Sequence, residues 1–119
     1  MCIRDRFNVT GNRLNAILNQ RSQDMLTANN WNVCQYAALL IMFAKSTGFE
    51  PGELVHVIAD AHIYDRHIDA VKRLIEKKPY PAPEMQVEDI TDFYKFTKNS
   101  FTAVDYKYHE FTDKIPVAI

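Results

Sequence analysis

The stretch Asn19-Gln20-Arg21-Ser22-Gln23-Asp24-Met25, followed closely by Asn29, Asn30, Trp31 and Asn32, is dense in directional hydrogen-bonding groups. An arginine's planar fork matches phosphate oxygens two at a time, and a neighbouring hydroxyl adds a donor to the same anion. Arg21 and Ser22 are therefore a candidate phosphate grip. The same pair also reads as a solvated arginine ending a strand beside a turn serine. Asn32 carries both a carbonyl acceptor and an amide donor, which suits the edge of an amide-containing ring, and equally suits a cap or first-turn position of a helix. Asp24 is an acceptor-only carboxylate, or simply a loop carboxylate at a strand end. His56, Asp60, His62 and His67 offer metal-ligating atoms, but their spacing matches no standard zinc motif, and no metal is assigned.

The elements that must position these groups follow from periodicity. Phe7, Val9, Leu14, Ala16 and Leu18 share same-face spacings on either side of a turn at Thr10-Gly11-Asn12, predicting two short strands in a hairpin. In the second strand Leu14, Leu18 and Gln20 form one row, and Asn15, Asn19 and Arg21 the other. Residues 25–30 read as loop, with Asn30 as N-cap. From Trp31 to Thr47 the chain is apolar nearly all the way round, and Gly48 supplies a stop. Length decides for a helix buried on most faces, with Cys34 buried and inert inside it. Such a helix would hold Asn32 at its first turn, so that Asn32 and the sheet-borne Arg21 could converge.

Pro51-Gly52 reads as a turn, and Leu54 to Ala59 as a β-branched strand covered on both sides, with Asp60 to Tyr64 at or just past its end. Ile68, Val71, Leu74 and Ile75 show helical spacing, with Lys72, Arg73, Lys77 and Lys78 toward the C-terminal end, where the macrodipole favours cations. Pro79, Pro81 and Pro83 force an extended crossing. Residues 90–101 read as a short turn or helix, and Phe101 to Tyr106 as a strand. The fold class expected is α+β, a mixed sheet packed against a long buried helix.

In 119 residues, 47% apolar and 24% charged, the chain fits one domain and is neither disordered nor membrane-like in balance. A net charge of −1 gives no global pull toward DNA, so any anion must be held locally. The two cysteines, Cys2 and Cys34, are too few for a disulfide framework. With no apolar run long enough to span a bilayer and no signal core, a cytoplasmic protein without membrane contact is expected.

Gln20-Arg21-Ser22 with Asp24, then Asn32 ahead of Tyr36, Ala37 and Leu39, then Asp60-Ala61-His62-Ile63-Tyr64, and finally Pro116-Val117-Ala118-Ile119, resemble the thymidylate synthase family in residue type and order. The resemblance runs from Phe7 to Ile119 and implies the C-terminal part of such a domain; residues 1–6 match neither that pattern nor a structural signal and are expected to be a non-native or truncated leader. The family converts dUMP to dTMP with 5,10-methylenetetrahydrofolate as carbon donor and reductant, and works as a homodimer. The resemblance implies that Arg21 and Ser22 bind the 5′-phosphate, with Gln20 and Gln23 supporting them. Asn32 would read the uracil edge, His62 and Tyr64 would reach the 3′-hydroxyl with Ile63 between them, Asp24 would lie near the base on the dUMP side and also contact folate, and Ala118 would contact folate.

In the family a nucleophilic cysteine precedes a histidine upstream of the Arg-Ser motif. Counting back lands on Met1 beside Cys2, which lacks that histidine, so the role is transferred to neither Cys2 nor Cys34. A fragment with little or no activity of its own is expected. Two other readings stay open: a dCMP hydroxymethylase, which typically carries aspartate where Asn32 stands, and a non-catalytic nucleotide- or RNA-binding remnant. Tyr106 and His109 fall where the family has ligand-facing residues, whereas Tyr108 and Glu110 depart from its prolines.

Overall fold

The computed structural model describes residues 3–116, which divide into two compact units, 3–62 with 89–96 and 63–88 with 97–116. Cys2 and the tail residues Ala118 and Ile119 lie outside the described residues.

In the first unit, strands β1 (Ile3–Thr10) and β2 (Arg13–Gln20) form the expected antiparallel hairpin. Its two-residue turn places Gly11 at φ 60°, a left-handed conformation that costs glycine little. Residues 3–6, set aside in the sequence reading, are the first half of β1 and pair from Ile3↔Gln20 to Arg6↔Ile17. The predicted alternation holds in β2, where Leu14, Ala16, Leu18 and Gln20 are buried and the intervening residues half-buried.

Helix α1 (Asn29–Thr47) then crosses over to β4 (Glu50–Ile58), which pairs parallel to β2 in a sheet ordered β1-β2-β4. Gly48 ends the helix at φ 77°, and the Phe49 amide donates back to the Ala44 carbonyl at 2.9 Å. Leu14, Ala16, Leu40 and Ala44 form the core, with Phe43, Phe49 and Leu54 against it. The Phe43 ring sits between Phe7, edge-on at 5.2 Å, and Phe93, stacked at 5.0 Å. Complete burial of Leu18, and near-complete burial of Leu40, stabilise the unit by roughly 1.5–3 kcal/mol each. The Tyr36 phenol bonds the Asp5 carboxylate, and burial first, then that charge and bond, push its pKa up from the usual 10.0.

Four expectations are corrected here. The helix is long but fully buried only at Asn32, Leu40 and Ala44, spaced by fours and eights along one stripe, with the rest of 36–46 half-buried. Its first turns are the uncovered part: Trp31 is left 80% exposed, and Cys34 is exposed rather than buried. The N-cap is Ala28 rather than Asn30, and no side chain caps the helix. Pro51 and Gly52 are the start of β4 and not a turn: the register shifts between Leu14 and Ala16, and the Glu53 amide donates to the Asn15 side-chain oxygen at 2.9 Å. Finally, β4 is covered on one face only, with Val55 and Val57 opposite Ile17 and Asn19 about half exposed.

A Cβ at Gly52 would run into the Asn15 side chain and come within 2.7 Å of the Leu14 carbonyl. We therefore expect Gly52→Ala to destabilise the chain by about 1–3 kcal/mol, read as a lower midpoint in urea; an unchanged midpoint would show that the bulge yields freely.

In the second unit a 3-10 turn (Asp65–His67) leads into α2 (Ile68–Ile75), as the spacing predicts, with Lys72 and Arg73 in its last turn. The proline segment runs without regular structure into β6 (Glu84–Val87), which pairs antiparallel with β7 (Phe101–Val104). The last of these strands was foreseen and β6 was not, because Glu84, Met85 and Gln86 are all exposed and leave no alternation to read. No helix among the described residues is long and apolar enough to cross a membrane.

Candidate functional site

The chemistry-bearing residues gather where β2 and β4 end together. The Ala59 amide donates to the Gln20 carbonyl at 3.0 Å. Beyond a break at Arg21 and Ser22, strand β3 (Gln23–Asp24) resumes parallel pairing with β5 (Ala61–His62). The Gln23 amide donates to the Asp60 carbonyl at 2.9 Å, and the Met25 amide to the His62 carbonyl at 3.0 Å. Carboxyl ends of parallel strands are where open sheets usually hold ligands, since the ladder stops there and side chains face open space. Arg21 and Ser22 occupy the gap in the ladder itself. The Arg21 side chain is exposed, and among the described residues no carboxylate lies within ion-pair distance of it.

What fixes this gap is a buried polar relay. Gln20, 2% exposed, accepts from His56 Nε2 at 2.7 Å, and its own Nε2 donates to the Ser22 carbonyl at 3.0 Å. A carboxamide satisfied at both ends cannot rotate cheaply, so the Arg21-Ser22 backbone is tied to β4. His56 is expected from sequence within the strand run 54–59 and as a metal-ligating type, not as a brace for Gln20. The alternation of Leu54, His56 and Ile58 was the signal that it faces the helix side, as Gln20 does.

Asn32 arrives from the first turn of α1. Its Nδ2 donates to Gln23 Oε1 at 2.9 Å, with both residues buried, while Gln23 Nε2 donates to the Asp24 carbonyl at 3.3 Å. An amide nitrogen carries two hydrogens, so the bond to Gln23 orients the group and leaves it a second donor beside its acceptor oxygen.

Asp24 stands opposite His62 in the β3-β5 register. Its Oδ1 accepts from the Leu26 and Thr27 amides at 3.0 and 3.2 Å, and its Oδ2 from the Thr27 hydroxyl. The carboxylate is thus held by its own turn. His62 Nδ1 lies 3.3 Å from the Asp60 carbonyl and 3.6 Å from its Oδ2.

Gln20, Ser22, Gln23, Asp24, Asn32 and His62 are therefore gathered at one sheet corner. Ile63 and Tyr64 belong to the second unit, where the Tyr64 ring stands edge-on to His67. Tyr106 stacks on Tyr108, and His109 stacks on Tyr80 while bonding the Lys78 carbonyl at 2.8 Å. Among the described residues no group of three or more histidine, cysteine or acidic side chains is arranged to hold a metal ion. Cys34 lies on α1 two residues from Asn32, about 200° around the helix, in an open groove with Asn30, Trp31 and Gln35.

Comparison with known proteins puts this corner in context. A family model described as thymidylate synthase matches residues 2–119. The thymidylate synthase of Clostridium beijerinckii is 39% identical over 112 residues, covering 92% of this chain and 43% of the relative. That of Bacillus phage phi3T is 40% identical over 97 residues, 81% of this chain and 35% of the relative. A solved structure of thermostable thymidylate synthase A from Bacillus subtilis superposes with a TM-score of 0.87 at 36% identity, over 97% of this chain and 41% of that one. The chain spans well under half the length of these relatives, while the match runs through nearly all of its own residues: it belongs to the thymidylate synthase family.

Proposed function

We propose that this chain contributes the nucleotide-holding part of an enzyme that reductively methylates dUMP to dTMP with 5,10-methylenetetrahydrofolate, giving dihydrofolate. The observation that carries the reading is the Asn32–Gln23 bond. It presents one acceptor and one donor from a single rigid carboxamide, complementary to the N3–H and O4 of uracil. Arg21 and Ser22, in the gap braced by Gln20, take the 5′-phosphate. His62 and Tyr64 hold the 3′-hydroxyl, with Ile63 between them.

The folate, when bound, supplies the carbon and the hydride. Asp24, its orientation held by Leu26 and Thr27, is suited to accept N–H groups of a flat heterocycle. Ala118 would contact folate as well. The half-exposed apolar row of Ile17, Val55 and Val57 fits burial against a second copy of the chain, consistent with a homodimer. The setting expected is the cytoplasm, with neither DNA nor membrane as partner.

Calorimetric titration tests the nucleotide assignment: dUMP should bind at least about tenfold tighter than dCMP, and a dCMP preference would replace the reading with a hydroxymethylase. The reaction also needs a thiolate to add to C6 of uracil. Cys34 faces away from Asn32, Cys2 lacks the following histidine of the family's nucleophile, and neither is assigned that role. We accordingly expect the purified 119-residue polypeptide to release no tritium from 5-tritiated dUMP above background. Steady release that survives Cys34→Ser would mean that a nucleophile is present after all.

A further inference from the structure

Resting on the reading above, we propose that His67 is a positioning residue that ties the segment 110–116 to Tyr64, so that the seat of the nucleotide and the approach to the C-terminus are held by one imidazole. Three donors, one on the 3-10 turn, one on α2 and one just past its end, meet that segment in antiparallel order. His67 Nε2 lies 2.9 Å from the Pro116 carbonyl; Arg73 Nε and Nη2 lie 3.1 and 2.7 Å from Asp113 Oδ2; Lys77 Nζ lies 3.1 Å from the Glu110 carbonyl.

These contacts are unequal. The Arg73–Asp113 pair is partly exposed and the Lys77 bond lies at the surface, where solvent screens both. His67 is 2% exposed, so the donor side of its bond is shielded from water although Pro116 itself is exposed. A carbonyl can only accept, so Nε2 carries the proton. Nδ1 is buried as well, and no hydrogen-bond partner for it occurs among the described residues. The ring is held from the other side by Tyr64, whose carbonyl accepts the His67 amide at 2.8 Å and whose ring packs edge-on at 5.6 Å and 76°. Moving Pro116 therefore loosens the imidazole, and loosening the imidazole weakens its edge-on contact with the Tyr64 ring.

The test uses the 119-residue chain, trypsin and mass spectrometry at Lys114. His67→Leu keeps bulk but loses the Nε2 donor, and His67→Gln restores a donor near that position. Cleavage after Lys114 should run about tenfold faster in His67→Leu, the population change expected for one hydrogen bond of about 1.4 kcal/mol, and return close to wild type in His67→Gln. If His67→Leu loses its circular dichroism, His67→Asn, which is too short to reach Pro116, takes its place with the same expectation. Unchanged cleavage in the folded variant overturns the clamp. In a second arm, saturating dUMP should slow Lys114 cleavage about threefold in wild type and not in His67→Leu. Binding of dUMP without protection overturns the link to Tyr64. Absence of any heat on titrating dUMP into wild type would count against the proposed function, and the clamp would still be decided by the first arm.

Discussion

Arg21→Ala is expected to weaken dUMP binding about a hundredfold while leaving deoxyuridine binding within about twofold. The guanidinium lies in the break between β2 and β3, with no carboxylate neighbour within ion-pair distance among the described residues, so its fork is available to an anion. Two charge-assisted bonds to a phosphate contribute roughly 3 kcal/mol between them, which sets the hundredfold. Deoxyuridine lacks the phosphate and so reports the base and sugar contacts alone. The Ser22 hydroxyl is a neutral donor, and its loss should cost several times less. Fold stability should hardly move, since Arg21 is exposed and packs against nothing in the core. Equal losses for the two ligands would assign Arg21 to the architecture of the corner and remove it from the phosphate.

Asn32→Asp is expected to swing the preference between dUMP and dCMP by about a thousandfold, from favouring the first to favouring the second. A carboxylate only accepts. It cannot donate to O4 of uracil, and it gains the exocyclic amine of cytosine as a donor. Each mispaired polar group in a buried site costs about 1–3 kcal/mol, and two are exchanged. The partner within the protein can adapt: Gln23 can turn its amide to donate where its Oε1 now accepts from Asn32. Asn32→Leu is the control, because it strands the buried Gln23 oxygen, and should lower stability by about 1–3 kcal/mol while abolishing discrimination. Paired calorimetric titrations of both nucleotides into the three proteins decide the matter. A ratio that does not move in Asn32→Asp would mean that the base is read elsewhere.

Much of this architecture is carried by short-range pattern. The alternation of Leu14, Ala16, Leu18 and Gln20, the length of the run from Trp31 to Thr47, the stop at Gly48 and the 3.6-residue spacing of Ile68 to Ile75 each follow from steric and solvation preferences acting over a few residues. Each appears where those preferences put it. The donor and acceptor inventories of Arg21, Ser22, Asp24 and Asn32 were also legible, because those of a guanidinium, a hydroxyl, a carboxylate and a carboxamide are fixed wherever they stand.

Tertiary structure decided how much of each element finds cover, and which polar group meets which. The helix composition reads as burial on most faces, yet full burial is confined to one stripe, and Trp31 and Cys34 in the first turns are left exposed. Pro51-Gly52 has the local signature of a turn, but a bulge against Asn15 draws it into β4. The relay from His56 through Gln20 to Ser22 joins residues 36 positions apart, and the bond from His67 to Pro116 spans 49. No local preference can encode such pairs. They exist because strand register and helix placement bring the partners within 3 Å, and burial then makes leaving either one unpaired more costly than the bond itself is worth.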